Sequence, residues 1–304
     1  MRRVAHVSDL HVLSPFGANW RQALFNKRIT GYANVLLRRG RVFRPHYLEK
    51  VLEQAAERAD HVVVTGDITN LALESEYAEA RRLLDRIAEK AEVTVAPGNH
   101  DIYLPEIGHE RHFEQHFAPF MQSDLPELAV EVPAGHFPCV KLRGSVALIA
   151  VSSAVPRPPF VSSGILGRAQ RQALKQVLLH PEVRRRTPWL LVHHAPLDGS
   201  SHLEQLRSGL VDAHALRRIL ATLERGAVLF GHLHVRSKRS FTTYAGDLDV
   251  VGASGGSLDH HDDRVRAGLN LYHLGEDGSL ARAEAWVIDP DSLELVEKPL
   301  RGAP

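Results

Sequence analysis

Short, β-branched apolar runs recur along this chain, and five of the six end in a residue able to bind a metal. They are Val4–Val7, Val62–Thr65, Val93–Ala96, Val146–Val151, Trp189–Val192 and Val228–Phe230. Amphipathic helical spacing separates several of them, as in Leu48, Val51, Leu52, Ala55 and Ala59, and again in Leu83, Leu84, Ile87 and Ala91. Further helices are expected over Arg168–Leu179 and, capped by Asp212, through Leu216, Ile219, Leu220 and Leu223. Alternation of this kind predicts an α/β fold with helices on the faces of the sheet. After Phe241 the helical spacing gives way to Leu248–Val251, Leu269–Leu274 and Ala285–Ile288, which read as a second, largely antiparallel set of strands. No repeat or low-complexity linker interrupts the chain. The expectation is one domain over residues 1–304, with an insertion at 13–46 and a β-rich C-terminal portion at 238–304.

The residues at the ends of the runs decide the chemistry. The first run leads into Asp9-Leu10-His11 and the second into Gly66-Asp67. The third leads into Gly98-Asn99-His100-Asp101, the fifth into His193-His194, and the sixth into Gly231-His232-Leu233-His234. In an open α/β sheet the ligand crevice lies outside the carboxyl ends of the strands, so these loops should converge in space. Carboxylate, imidazole and one amide oxygen suit manganese, iron or zinc better than copper(I) or calcium. Seven candidate ligands, Asp9, His11, Asp67, Asn99, His193, His232 and His234, exceed the need of one ion. Two ions bridged by a carboxylate form the usual hydrolytic pair, and Asp67 is the natural bridge. His194 should point away from His193 if both lie on an extended strand end, and His6 precedes the first motif, so both read as structural. His260-His261-Asp262-Asp263 reads as a polar loop.

This series, complete and in order over about residues 4 to 234, resembles the motif set of the calcineurin-like metallophosphoesterases. The resemblance implies a four-layer αββα sandwich of two mixed sheets. It implies one divalent ion on Asp9, His11, Asp67 and His234 and a second on Asp67, Asn99, His193 and His232, with Mn2+ expected ahead of iron or zinc. His100 would contact the scissile phosphate or protonate the leaving oxygen, with Asp101 orienting its imidazole. The implied reaction is in-line attack on phosphorus by a metal-activated hydroxide, without a covalent enzyme intermediate. Pro97 and Asp101 stand where protein Ser/Thr phosphatases of the superfamily carry arginine and glutamate, which disfavours that branch.

Charge and composition limit the partners. With 37 basic and 36 acidic residues the formal charge is +1, so no global field draws the chain to nucleic acid, and none is expected as a partner. A single cysteine, Cys139, excludes an internal disulfide and a thiolate metal cluster. The N-terminus lacks a signal-peptide apolar stretch and no run approaches the roughly 20 residues of a membrane span, so a cytoplasmic protein is expected. One segment stands apart. From Val12 to Leu48 there is no acidic residue, whereas Arg21, Lys27, Arg28, Arg38, Arg39, Arg41 and Arg44 are basic. Phe25, Ile29, Tyr32 and Leu36 follow a helical face within it, beside Gly31. A basic amphipathic helix with aromatics reads as a membrane-surface element or a wall for an amphiphilic substrate, with Phe25, Tyr32, Arg38 and Arg39 as candidate substrate contacts. On that basis the resemblance narrows to bacterial hydrolases of UDP-diacylglucosamine, acting on a lipid-linked phosphoester at the inner face of the membrane. The competing resemblance is to class III cyclic nucleotide phosphodiesterases, and the non-enzymatic alternative is an inactive, metal-bound scaffold.

Overall fold

Residues 1–13, 42–196 and 201–300 are described by a computed structural model of the chain. Two six-stranded sheets carry the fold. The first is built around β1 (Arg3–Val7), which pairs in parallel with β2 (His61–Thr65), itself parallel to β3 (Glu92–Ala96). On its other side β1 pairs antiparallel with β12 (Gly268–Leu274), and β13 (Leu280–Ile288) and β14 (Leu295–Lys298) follow outward, each antiparallel to the strand before it. The second sheet runs in the order β10 (Ser237–Thr242), β11 (Asp247–Gly252), β9 (Arg225–Phe230), β8 (Thr187–Leu191), β7 (Val146–Ala150), β6 (Cys139–Arg143). A hairpin of β4 (Val130–Val132) and β5 (Gly135–Phe137) stands apart from both.

The period of two along each strand explains the layering. Val146, Leu148 and Ala150, together with Trp189 and Leu191, join the core that also holds Val4, Val7, Val62 and Val64 of the first sheet. The intervening Ala147, Ile149, Leu190 and Val192 face the other way, into a separate apolar cluster with Leu174, Val177, Leu216 and Ile219. Strands apolar on both faces must be covered on both faces. The covers on the second sheet are α5 (Gly167–Leu179) and α8 (Ala213–Leu220), each burying one stripe. On the first sheet α1 (Pro45–Arg58) buries Leu48, Val51, Leu52 and Ala55, and α2 (Glu74–Ala88) buries Tyr77, Ala80, Leu83 and Leu84. Pro45 in the first turn of α1 presets its backbone for the helix. The shorter helices are α3 (Pro105–His109), α4 (His112–Phe117), α6 (Pro181–Arg184) and α7 (His202–Ser208). The result is the four-layer αββα sandwich.

Two expectations require correction. The strands after Phe241 are not a set of their own: β11 lies parallel to β9 in the second sheet, and β12 to β14 complete the first. Strand patterning reports which faces are apolar but not which neighbour a strand takes. Asp212 occupies the N-cap of α8 without capping it by its side chain. Its carboxylate accepts instead from Leu166 N and Gly167 N at the start of α5, both at 3.0 Å, and thereby ties the two covering helices together. The expected aromatic and basic contacts Phe25, Tyr32, Arg38 and Arg39 lie outside the described residues. Among the described residues, no helix is long and apolar enough to cross a membrane.

Candidate metal centre

The loops that follow β1, β2, β3, β8 and β9 meet at one edge of the sandwich. Asp9 N donates to Gly66 O at 2.9 Å and His11 N to Asp67 O at 3.0 Å, so the first two loops run side by side beyond their strands. Gly98 presses against the second loop: a Cβ there would lie 2.2 Å from both Asp67 N and Asp67 Oδ1. A Cβ at Gly231 would lie 1.9 Å from Ser8 Oγ. The glycines before Asn99 and His232 are thus fixed by close approach. Asp9, His11, Asp67, His232 and His234 all have φ between 44° and 66°, the left-handed region that side chains with a Cβ seldom adopt. Such strain persists only where its surroundings enforce it, and it gathers at functional sites.

The side chains converge as the sequence predicts. His234 Nε2 lies 3.2 Å from Asp9 Oδ1 and 3.4 Å from His11 Nε2. His193 Nε2 lies 3.4 Å from Asp67 Oδ1 and 3.2 Å from Asn99 Oδ1. Ligand atoms of Asp9, His11 and His234 fall within 4.8 Å of one another, as do those of Asp9, Asp67 and His193, and those of His11, Asp67 and His100. Asp9, His11, Asp67 and His193 are buried.

Two imidazoles are held in the orientation that metal binding needs. His193 Nδ1 contacts Thr65 O at 2.7 Å, and His232 Nε2 contacts Ser208 O at 2.6 Å. A carbonyl only accepts, so each of these nitrogens carries a proton and the other ring nitrogen of each residue is the one turned toward the ligand cluster. Imidazoles oriented by a carbonyl, buried carboxylates and one amide oxygen, with no thiolate, fit a pair of borderline divalent cations.

The carboxylates and imidazoles of the cluster shift one another's titration. Burial by itself would push the Asp9 carboxyl up, but His234 and His193 hold it well below the usual carboxylate range. Asp67 is likewise held low against its burial, by His193 and His100. Burial opposes the proton on His193, yet Asp67 and Asp9 raise it to about 9. Burial takes His232 down to about 4, with His193 adding to the effect.

Three neighbours of the cluster are arranged differently from it. Asp101 does not orient His100. Its carboxylate accepts from Thr69 N at 2.8 Å, Gly98 N at 2.8 Å and Ile68 N at 3.2 Å, and from the Thr69 hydroxyl at 3.0 Å. It therefore clamps the loops after β2 and β3, and burial together with Asp67 pushes it up to about 7. The His100 ring is instead turned by Asn70 O, 2.5 Å from its Nδ1. A backbone carbonyl from a loop thirty positions away leaves no mark in sequence. His194 does not point away from His193 as expected: their rings lie 5.0 Å apart and both fall in one ligand group with His232. His194 nevertheless has its Nδ1 2.7 Å from Ser153 Oγ and its Nε2 2.7 Å from Ser162 O, so both of its ring nitrogens are bonded to structure. The loop at His260–Asp263 is bonded internally, with Asp262 N on His260 Nδ1 and Arg266 on Asp263, and it belongs to none of the ligand groups.

Sequence reasoning also missed Glu76. Its carboxylate, on the first turn of α2, accepts from Leu71 N at 2.8 Å and from Asn70 N and Leu73 N at 3.2 Å, shaping the loop that presents Asn70 O to His100. Phe43 packs its ring 4.7 Å from that of His11, forming an apolar wall at the cluster.

Comparison with known proteins places this arrangement in a class. Residues 2–236 match the calcineurin-like phosphoesterase family, and the chain belongs to it. The family implies a metal-dependent phosphoester hydrolase with two divalent cations, and the Asp and His groups above are able to hold metal. The chain is 25% identical over 284 residues to a cAMP/cGMP dual specificity phosphodiesterase of Mycobacterium tuberculosis, covering 90% of this chain and 76% of that protein. In fold it resembles a dimetal phosphatase from Danio rerio at a TM-score of 0.54 and 15% identity, covering 93% of this chain and 95% of the other. It also resembles a purple acid phosphatase from yellow lupin at a TM-score of 0.58 and 15% identity, covering 93% of this chain and 53% of that one.

Proposed function

We propose that this chain hydrolyses a phosphodiester or pyrophosphate bond at a binuclear centre. Asp9, His11, Asp67 and His234 hold one ion, Asp67, Asn99, His193 and His232 hold the other, and Mn2+ is the preferred metal. The reading rests above all on the convergence of those side chains, with His193 and His232 each fixed by a backbone carbonyl. When bound, two such ions polarise the phosphoryl oxygens and make water nucleophilic near neutral pH. The chain's own residues do the rest. Asn70 O accepts from His100 Nδ1 and so orients the ring, which in its doubly protonated form can carry a proton on Nε2 to the leaving oxygen. Asp101 keeps the loops of Asp67 and Asn99 in register by accepting from both.

Two substrates are in competition. The mycobacterial relative supports a 3′,5′-cyclic nucleotide. The acid-free segment from Val12 to Leu48, with Phe25, Tyr32, Arg38 and Arg39, supports a lipid-linked substrate such as UDP-diacylglucosamine, met at the cytoplasmic face of an anionic membrane. A phosphorus-NMR time course of the manganese-loaded protein, given both compounds in detergent micelles, separates them. UMP and a lipid phosphate are the expected products of the second reading, and AMP of the first. Turnover of neither compound, nor of a simple aryl phosphodiester, would leave a metal-bound scaffold.

A further inference from the structure

Among the described residues, eight large apolar side chains are exposed. Scattered exposed leucines are ordinary, but clustered ones mark a binding surface. Four of the eight, Phe160, Leu203, Leu206 and Leu233, sit on three segments joined to one another and to the metal centre. Leu203 and Leu206 lie three apart on α7, on one side of a helix whose last residue, Ser208, supplies the carbonyl that holds His232. Leu233 stands between His232 and His234, and is 47% exposed. The segment after Phe160 is bonded to α7 and beyond, with Ser162 N donating to Arg207 O at 2.8 Å and Gly164 N to Gly209 O at 3.0 Å. Phe160, 79% exposed, adopts a left-handed φ of 67°.

Short helices in proteins usually depend on burying an apolar face. On α7 Leu203 is 76% exposed and Leu206 46%. The helix is secured instead by a reciprocal cap, with Glu204 N on Ser201 Oγ at 3.3 Å and Ser201 N on Glu204 Oε2 at 2.8 Å. Arg207, exposed beside Leu206, has no carboxylate partner among the described residues. Apolar surface beside an exposed guanidinium, continuous with a phosphoester site, complements a molecule that is a phosphate at one end and hydrocarbon at the other.

We infer that Phe160, Leu203, Leu206 and Leu233 form an apolar rim that receives the hydrocarbon part of an amphiphilic phosphoester, with Arg207 beside it. The inference rests on the phosphoesterase reading and narrows its substrate class. It uses none of the residues between Leu13 and Val42.

The test is a chain-length series. The manganese-loaded full chain is given methyl, butyl and octyl p-nitrophenyl phosphate below micellar concentrations, and kcat/KM is measured for each. Calorimetric binding of octyl phosphate against methyl phosphate is read in parallel, so that the rim is tested even without turnover. The wild type is expected to gain about tenfold or more from methyl to octyl, mainly through KM and far below the full transfer value of seven methylenes. In L203Q/L206Q, and independently in F160S, the gradient should shrink to about threefold or less. A wild type indifferent to chain length in both readouts, or variants that keep the whole gradient, would overturn the rim. A gradient seen only with phosphatidylglycerol vesicles present would also overturn it, by assigning the surface to a bilayer. Chain-length-dependent binding without hydrolysis of any member would count against the phosphoesterase reading and leave the rim standing.

Discussion

The two sheets contribute to the metal centre in different currencies. The first supplies every carboxylate, Asp9, Asp67 and Asp101, together with Asn99, His11 and His100, from the ends of parallel strands β1, β2 and β3. The second supplies only imidazoles, His193 after β8 and His232 and His234 after β9. Each side is incomplete alone, and the contacts that fix them cross the gap. His193 donates a hydrogen bond from Nδ1 to Thr65 O of the first sheet, and His232 N donates to Asp9 at 3.1 Å. The lesson is that charge and orientation are separable here. The first sheet sets the negative potential of the centre, whereas the second adds imidazoles whose orientation is fixed by backbone carbonyls.

The comparison can be broken most severely at its shared residue. Asp67→Ala removes the carboxylate that faces both halves. Metal analysis and phosphodiester turnover should both fall to background, and retained activity would overturn the ligand assignment. Gly98→Ala attacks the same point through the backbone, because its Cβ would occupy the space of Asp67 N and Oδ1. Loss of metal without loss of the folded circular dichroism spectrum is the expected result. A smaller effect is expected at His100, which the proposed reaction sets against the substrate and not among the seven ligands. His100→Ala should retain both ions while kcat falls about 10²- to 10⁴-fold, the range of a positioned acid. If it acts as that acid, the loss will be greater for alkyl than for p-nitrophenyl leaving groups.

Asp101→Asn sharpens the distinction between clamp and orienter. An amide keeps one acceptor oxygen for Thr69 N or Gly98 N but turns donor hydrogens toward the other, so metal affinity or activity should drop about 10- to 100-fold. His100 remains on Asn70 O, and the preference among leaving groups should be unchanged. If Asp101→Asn instead reproduces the leaving-group signature of His100→Ala, the clamp assignment is wrong.

The smallest effect concerns stability behind the first sheet. His6 is buried between Thr65 Oγ1 at 2.8 Å and the Tyr272 hydroxyl at 2.9 Å, and burial lowers it from 6.5 to about 3. The unfolded chain therefore takes up a proton near pH 6.5 that the folded chain refuses. The contribution is intact above that value and is lost as the pH falls toward 3, with a slope of at most about 1.4 kcal/mol per pH unit. Urea melts at stepped pH should show a shallower acid slope for His6→Gln than for the wild type, whatever the absolute stability of the variant.

Much of this centre was legible because its ligands follow strand ends and are spelled by side chains. Asp9, His11, Asp67, Asn99, His193, His232 and His234 come together as the strand-end rule requires, whereas His194 does not point away from His193, because β8 ends at Leu191 and strand alternation no longer holds there. The misassigned partner of His100 and the missed role of Glu76 share one cause. Both depend on backbone groups of the loop from Asn70 to Leu73, and every residue type offers the same carbonyl and N–H. Asp212 failed similarly, since an N-cap position read along the chain does not reveal that a carboxylate serves a neighbouring helix.

The sequence by itself determined the layers, through the period of two in the strands and the stripe in each helix, and the donor chemistry, through which residues end the strands. Tertiary structure alone decided strand order, the division of β10 to β14 between the sheets, the carbonyls that select each imidazole nitrogen, and the gathering of Phe160, Leu203, Leu206 and Leu233. Periodicity is a property of neighbours along the chain, so it is written there. Partner choice is a property of neighbours in space, joined by backbone groups that are the same at nearly every position, so it is not.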